Sequence, residues 1–244
     1  MKKILVVGLL FLLGINRVLA GPNYVVGVEA LNYYPHYSDE GKQYSGFARD
    51  LLDAFAKDTG YSFEYKILPV ARLYDEFFAG ALDFKYPDNR LWQEPKRKGL
   101  AIEYSEPVVS YTDGVLVLPA NKGKGVEKIK SLGTVRGFTP WDYLGLVKSG
   151  QIKVQEVNSF QQSLLQGINA RVDGVYMNLE VGRYHLNSVL KLPDSLVFDE
   201  ALPHSKGFYT LSSTKNGQVI VEFNKFLIEH ATEVSALKAK YGLQ

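Results

Sequence analysis

Short apolar runs alternate with amphipathic stretches along the chain after residue 20. Residues 24–30 (YVVGVEA) form a continuous apolar run rich in β-branched side chains, which predicts a buried strand. Residues 46–59 repeat apolar side chains at helical spacing, and Gly60 ends the predicted helix. Residues 62–68 alternate as a second strand. This order of strand, helix and strand predicts a parallel pair of strands.

The same kind of alternation continues to the end of the chain and predicts an α/β fold. The predicted strands are 82–86, 100–104, 114–119, 131–137, 153–157, 173–177 and 207–211. The predicted helices are 71–79, a segment opened by Thr139 and Pro140, 159–169, 179–186, 218–230 and 233–241. A Lys/Gly loop at 121–125 marks a boundary between two lobes. The final helix is expected to pack on the first lobe.

Two segments of similar pattern each lead into one of the short strands. FFAGALDFKYPDN and LLQGINARVDGVYMN both run from a helix through a small turn to an aspartate, a short apolar strand and an asparagine. The likeness covers about a dozen residues, which is too short to establish a duplication. It predicts related lobes whose strand ends face one cleft.

Aromatic and polar side chains gather where the strand at 82–86 ends. In open α/β sheets, ligands bind beyond the carboxyl ends of strands, where backbone groups and helix N-termini are free. The side chains at this place are Tyr86, Asp88, Asn89, Arg90 and Trp92. Their composition favours a small-molecule site over a plain connection.

Two further segments complete the candidate site. The loop at 31–45 carries Tyr33 and Tyr34, whose rings either pack under the loop as core or face the cleft. After Gly137 and Phe138, Thr139 fits a helix N-cap and Pro140 the first helical position. Such a helix start would offer free amides to an anion, although Thr-Pro also begins helices that bind nothing.

Composition narrows the class of protein. The chain has 244 residues, 46% hydrophobic and 22% charged, enough to build a core and one large domain or two small lobes. Residues 1–20 have two lysines, an apolar run and a Val-Leu-Ala end, the layout of a cleaved signal peptide. Removing Lys2, Lys3 and Arg17 leaves 25 basic against 26 acidic residues, so no nucleic-acid binding is inferred.

Catalytic and metal-binding motifs are absent from the sequence. With 0 cysteines there is no disulfide, thiol nucleophile or cysteine-ligated metal. The 4 histidines are scattered, and neither a nucleophile elbow nor a glycine-rich phosphate or dinucleotide loop occurs. Glu29 and Asp88 stand at predicted strand ends, where a lone carboxylate is more often a cap or an ion-pair partner than a catalyst. No enzyme activity, cofactor or metal is expected.

These residues resemble a known family. The order of the leader, VGVEALNYYP, residues 46–63 and YSEPVV is similar to family 3 bacterial extracellular solute-binding proteins, over nearly the whole mature chain. The resemblance implies a two-lobed type II periplasmic-binding-protein fold with two hinge strands, near 112–119 and 199–206. Lobe 1 would hold 21–113 with 204–244, and lobe 2 would hold 114–203. It also implies a periplasmic monomer that captures a small polar or anionic solute for an inner-membrane ABC permease.

The resemblance also assigns binding roles to positions. The aromatic after the first strand maps to Tyr33 or Tyr34, and the strand-end segment maps to 86–89, where YPDN replaces the family's Gly- and Thr-rich run. The family's carboxylate-holding arginine maps by spacing to Arg97 or Lys98. Arg90 and Arg72 are the alternatives, and guanidinium favours bidentate capture. For each basic residue of the PKRK turn at 95–98, a solvated surface role is the competing interpretation.

Asn178 departs from the family pattern. It aligns with the aspartate that pairs with the ligand's ammonium group in amino-acid receptors, and an amide cannot supply that charge-assisted bond. We therefore predict that the protein does not strongly select standard α-amino acids. Two other functions fit the resemblance: an exported enzyme like cyclohexadienyl dehydratase, with Glu29 or Asp88 as acid or base, and a ligand-sensing module for a membrane partner.

Overall fold

The computed structural model describes residues 21–40 and 43–244. Ten strands within this part of the chain form one curled sheet. The predicted signal peptide at 1–20 lies outside the described residues. The strands are β1 Asn23–Glu29, β2 Ser62–Leu68, β3 Phe84–Asp88, β4 Glu103–Tyr104, β5 Val109–Val117, β6 Ser131–Val135, β7 Lys153–Val157, β8 Gly174–Asn178, β9 Val197–Phe198 and β10 Ser205–Ser213.

The sheet consists of two parts that meet at long antiparallel strands. The order is β2-β1-β3-β10-β5-β8-β6-β7, with β4 paired to β10 and β9 to β5. In the first half-sheet, β1 is parallel to β2 and β3. In the second half-sheet, β6 is parallel to β7 and β8. β10 pairs with β3 through its C-terminal part and with β5 through its N-terminal part, so it joins the two half-sheets.

Helices cover the sheet and bury their apolar faces against it. They are α1 Phe47–Thr59, α2 Val70–Phe78, α3 Glu94–Arg97, α4 Leu144–Lys148, α5 Phe160–Ile168, α6 Leu179–Tyr184, α7 Gly217–Glu229 and α8 Ala231–Tyr241. α1 ends where Gly60 adopts φ 75°, a left-handed conformation that glycine reaches without strain. α8 packs on α1, where Lys240 and Tyr241 both bond the Asp50 carboxylate at 2.6 and 2.7 Å. The predicted packing of the last helix on the first half is thus confirmed.

Most predicted elements form, and two, β2 and β7, have the predicted bounds. The strand predicted at 82–86 begins two residues later, at Phe84. The reason is that Asp83 accepts a bond from the Val25 backbone N–H at 2.7 Å and so occupies the strand's entrance. The strand predicted at 100–104 is reduced to Glu103–Tyr104, and Leu100 is exposed. Within the described residues, no helix is long or apolar enough to cross a membrane.

The prediction that a helix begins at Thr139 and Pro140 is wrong. Pro140 adopts φ −75° and ψ 78°, which is not helical, and only a 3-10 turn, Trp141–Tyr143, follows it. The α-helix begins at Leu144 and has five residues. The hydroxyl of Thr139 caps no helix, so the structure contains no long helix start that would offer a dipole and free amides to an anion at this place.

The two similar sequence segments occupy matching places in the half-sheets. β3 lies between β1 and β10, and β8 lies between β6 and β5. The aspartate that precedes each strand bonds the backbone of the neighbouring parallel strand: Asp83 accepts from Val25 N–H, and Asp173 accepts from Ser131 N–H at 2.8 Å. The predicted likeness of local architecture is therefore present in the fold.

Candidate functional site: a ring-lined cavity between the half-sheets

A cavity of about 110 Å³ lies between the two half-sheets. The first half-sheet contributes Glu29 from β1 and Tyr209 from β10, and the second contributes Asp113 from β5 and Tyr176 from β8. Pro87 of β3 also lines it. Loops and helices complete the lining with Tyr33, Tyr37, Val70, Tyr74, Trp92, Gln93, Gly137, Phe138, Thr139 and Trp141. The wall is mostly aromatic, and the described residues that line it include no lysine, arginine or histidine.

Aromatic side chains also connect the two sides of the cavity. Tyr33 stacks on Phe138 with ring centroids 5.7 Å apart and meets the edge of Phe160 at 5.6 Å. On the other side, its hydroxyl lies 3.2 Å from that of Tyr209. Burial raises the pKa of both hydroxyls well above the usual range, so they remain neutral. Tyr33 therefore packs against both half-sheets.

Four buried ionisable side chains form what we call the balanced cluster: Glu29, which lines the cavity, and Lys85, Asp88 and Arg97, which do not. Arg97 donates two bonds to Asp88, at 2.6 and 3.0 Å. Lys85 Nζ lies 3.4 Å from Asp88 and 3.9 Å from Glu29. Burial lowers the pKa of Lys85, but Asp88, Tyr74 and Glu29 together outweigh this effect, and the pKa of Lys85 is raised. Two cations thus neutralise two carboxylates.

Asp113 has a different environment. It is half-buried, lines the cavity and accepts a bond from Asn178 Nδ2 at 3.3 Å. Burial raises the pKa of this carboxyl from 3.8 to about 7, and the acidic groups of Glu180 and Asp142 add to the rise. In the part of the chain that the structure describes, no basic side chain forms an ion pair with Asp113. The negative charge of this carboxylate is therefore uncompensated.

The cavity brings together five of the residues that the sequence singled out: Tyr33, Trp92, Gly137, Phe138 and Thr139. Trp92 packs against Tyr111 and Tyr209, with ring centroids 6.2 and 5.7 Å apart. Tyr34 lies elsewhere, against Tyr184, with ring centroids 4.3 Å apart. The ring that follows the first strand into the cavity is thus Tyr33.

The three candidate arginines do not line the cavity. Arg72 is an exposed residue of α2 and pairs with Glu76 at 2.8 Å. Arg90 lies over the Tyr104 ring at 5.3 Å. Arg97 is buried, and besides Asp88 it bonds the Trp92 carbonyl and the Tyr104 hydroxyl. Its four hydrogen bonds to protein groups occupy the guanidinium, which leaves the expected carboxylate clamp without a free one.

The remaining predicted residues support the framework. Tyr86 is buried in the core, and Asp88 also accepts a bond from Ser212 at 2.6 Å. Asn89 caps the Leu91 N–H at 2.9 Å. Asn178 accepts from Val181 N–H at 3.1 Å and so begins α6. These side chains hold strand ends and turns rather than the cavity wall, and their binding roles stay predictions.

Several lining residues escaped the sequence reasoning as binding residues. They are Glu29, Tyr37, Tyr74, Asp113, Trp141, Tyr176 and Tyr209. Glu29, considered only as a catalyst, accepts a bond from the Tyr37 hydroxyl. Asp113 carries the one available signal, because it is a lone acid inside the apolar strand YTDGVLV.

A cavity enclosed between two α/β halves defines the class of two-lobed ligand-binding proteins. Residues 24–244 match the bacterial extracellular solute-binding proteins, family 3, and the chain belongs to this family. Its fold is the type II periplasmic-binding-protein fold. None of the curated proteins matches the chain.

Three solved structures illustrate the likeness in fold. An ancestral arginine-binding protein bound to arginine is 21% identical, with a TM-score of 0.70, covering 91% of this chain and 99% of that one. An arginine transport periplasmic binding protein from Legionella pneumophila is 19% identical, with a TM-score of 0.66 and coverages of 91% and 100%. A histidine kinase sensor domain is 16% identical, with a TM-score of 0.72 and coverages of 91% and 96%.

Proposed function

We propose that this protein is a periplasmic solute-binding protein that closes on a small polar solute and presents it to an ABC permease. The observation that carries the proposal is the cavity itself, because residues of both half-sheets line it and rings from both sides meet across it at Tyr33. Family membership supports a ligand-binding role. The transporter partner, the periplasmic location, the monomeric state and the division into lobes at 21–113 with 204–244 and 114–203 belong to this proposal.

Of the small polar or anionic solute expected from the sequence, the cavity favours the polar alternative over the anionic one. An anion of this size needs an arginine, a lysine or several free backbone amides. None of the described basic residues lines the cavity, and the expected helix start at Thr139 does not form. The prediction that standard α-amino acids are not strongly selected agrees with this wall, since an α-carboxylate would find no cation there.

Glu29 and Asp88 are the candidates for a catalytic acid or base, and their surroundings favour a binding protein over an enzyme. Asp88 is held by Arg97 and Ser212 and does not line the cavity. Glu29 lines it, but accepts a bond from Tyr37 and lies 3.9 Å from Lys85. A general acid or base must reach the proton it transfers, and Asp88 lacks access to a ligand.

Both tryptophans of the chain, Trp92 and Trp141, line the cavity, so intrinsic fluorescence reports on its occupancy. We would titrate purified residues 21–244, refolded after removal of bound ligand, with amines, amino acids, dicarboxylates, sugars, nucleosides and aromatic acids. A ligand of the cavity should change the fluorescence and, at about 100 times its Kd, stabilise the fold by roughly 2.7 kcal/mol. If no class changes either signal, the solute-binding proposal fails.

A further inference from the structure

We propose that the solute is a small organic ammonium ion, whose positive group binds between Asp113 and the aromatic wall of the cavity. This inference rests on the proposed function and names the ligand class of the same site. Three observations support it: Asp113 has no ion-pair partner among the described residues, aromatic rings line the wall, and the two buried cations, Lys85 and Arg97, pair with protein carboxylates.

The carboxylates near the cavity differ in whether a cation of the protein balances their charge. The balanced cluster contains two cations and two carboxylates, and its ion pairs are all internal. Asp113 stands apart from it, and among the described residues its side-chain hydrogen-bond partner is the neutral Asn178 amide. A carboxylate withdrawn from water without a cation is costly to ionise. A cation in the cavity would supply the balancing charge.

The aromatic wall of the cavity also favours a positively charged ligand. Tyrosine and tryptophan rings present negative faces that attract ammonium groups within about 6 Å of the ring centre. The protein already uses these rings in this way from the buried side, where Lys85 Nζ lies 4.6 Å from the Tyr74 centroid and 5.5 Å from that of Trp92. Tyr176, Tyr209 and Phe138 also line the cavity. Aromatic faces next to an unpaired carboxylate favour an organic cation.

The volume of the cavity limits the size of the ligand. Engineered apolar cavities of about 150 Å³ hold a benzene molecule, so a cavity of 110 Å³ accommodates a group of roughly five non-hydrogen atoms. Tetramethylammonium has about five non-hydrogen atoms and ethylammonium about three, so both ions fit this volume. The primary and the quaternary ion share the positive charge and differ in hydrogen bonding, and both belong in the test.

Binding of a cation should also depend on pH. The ligand favours ionised Asp113, so the affinity should rise with pH up to about 7 and level off above it. Other ionisable groups face Asp113 from the surrounding elements and contribute to its field: Tyr33, Tyr111, Asp142, Tyr176, Glu180 and Tyr209. The tyrosines have raised pKa values and stay neutral in this range.

The experiment is a fluorescence titration with tetramethylammonium and ethylammonium chlorides, with tert-butanol as the neutral molecule of matching size. The wild type should bind at least one ammonium ion and not tert-butanol. Asp113→Asn should weaken ammonium binding about 30-fold or more, because the ligand charge loses its partner. Glu229→Gln, which removes an exposed surface carboxylate of α7, is the matched control and should leave the affinity unchanged.

Every outcome decides the inference. If Asp113→Asn binds the ammonium ion as well as the wild type, or if tert-butanol binds equally, the assignment is wrong. If neither ammonium ion binds but a sugar or a dicarboxylate changes the fluorescence, the ammonium inference fails and the solute-binding proposal stands. If no compound of any class binds, both fail. Since Asp113→Asn keeps the side-chain shape, a melting curve verifies that it is folded.

Discussion

Asp88 in β3 and Asp113 in β5 are two carboxylates withdrawn from bulk water, and they differ in what surrounds them. Asp88 is fully buried and receives bonds from Arg97 and Ser212, with Lys85 at 3.4 Å. Asp113 has one amide partner and faces a cavity. The same functional group thus stabilises the fold at one place and is left incomplete at the other. The difference teaches that charge balance, more than residue type, separates framework from binding site.

We expect the largest change in stability when the guanidinium that pairs with Asp88 is removed. Arg97→Ala leaves Asp88 buried beside Lys85 alone, and breaking a buried pair in this way costs about 3–5 kcal/mol. Urea unfolding at pH 7 should detect the loss. Arg90→Ala removes an exposed guanidinium from the same segment and should change stability by less than about 0.5 kcal/mol.

Arg97→Lys keeps the charge and loses the two-point contact, so its stability should fall between those of Arg97→Ala and the wild type. This variant also provides a measurement if Arg97→Ala does not fold. Equal unfolding midpoints for the wild type and Arg97→Ala would mean that Arg97 is free of the framework. That result would return Arg97 to the list of ligand-binding candidates.

The next effect concerns the cavity side, where Asn178→Asp would place a second carboxylate next to Asp113. The two groups lie 3.3 Å apart, and like charges at that distance cannot both ionise freely. At pH 8 we expect a loss of about 2–3 kcal/mol in the free energy of unfolding, which should shrink as the pH falls to 5. Adding Asp113→Asn should recover most of the loss, and a double-mutant cycle measures this coupling. Additive effects would contradict it.

The framework was largely readable from the sequence because it depends on local patterns. Apolar alternation places β2 and β7 at the predicted bounds, and Gly60 ends α1 as expected. The charged strand β3 was harder to place. The apolar pattern predicts a strand at 82–86 and leaves Asp88 in the following loop, whereas β3 buries both Lys85 and Asp88. The ion pair between these two side chains offsets the cost of burying them.

The site was less readable because it depends on which way side chains point in three dimensions. Spacing in the chain nominated Arg97 as a ligand residue, but a guanidinium satisfied by a buried acid and one that faces a cleft have the same local sequence. Asp113 was not predicted as a binding residue for a related reason. An acid in a predicted hinge strand usually pairs with a cation of the protein, and the sequence does not show whether such a cation is present. Only the structure shows its partner to be the Asn178 amide.

A further test compares the pH dependence of stability in the wild type and in Asp113→Asn, which lacks the ionisable carboxyl group. The folded pKa of Asp113 is raised from 3.8 to about 7, so the native state holds its proton more tightly than the unfolded chain. Wild-type stability should therefore fall as the pH rises from 4 to 7, relative to Asp113→Asn, which cannot ionise. The two should be equally stable near pH 4. At pH 8 the variant should be more stable by about 2 kcal/mol, because water reaching the half-buried carboxylate screens part of the roughly 4 kcal/mol that the full pKa difference would carry. A constant difference across this range would show that Asp113 ionises freely.

The smallest expected effect tests whether the rings across the cavity assist closure. Phe138→Leu removes the stack on Tyr33, and an aromatic pair contributes about 0.5–1.5 kcal/mol beyond its buried area. If that contact forms on closure, tetramethylammonium affinity should fall about fivefold while the stability of the free protein changes little. Phe208→Leu makes the same substitution at an exposed ring outside the cavity and should leave the affinity unchanged. Equal affinities in both variants would mean that the Tyr33 stack does not favour the closed, ligand-bound arrangement, and that Asp113 and the remaining rings hold the ligand without it.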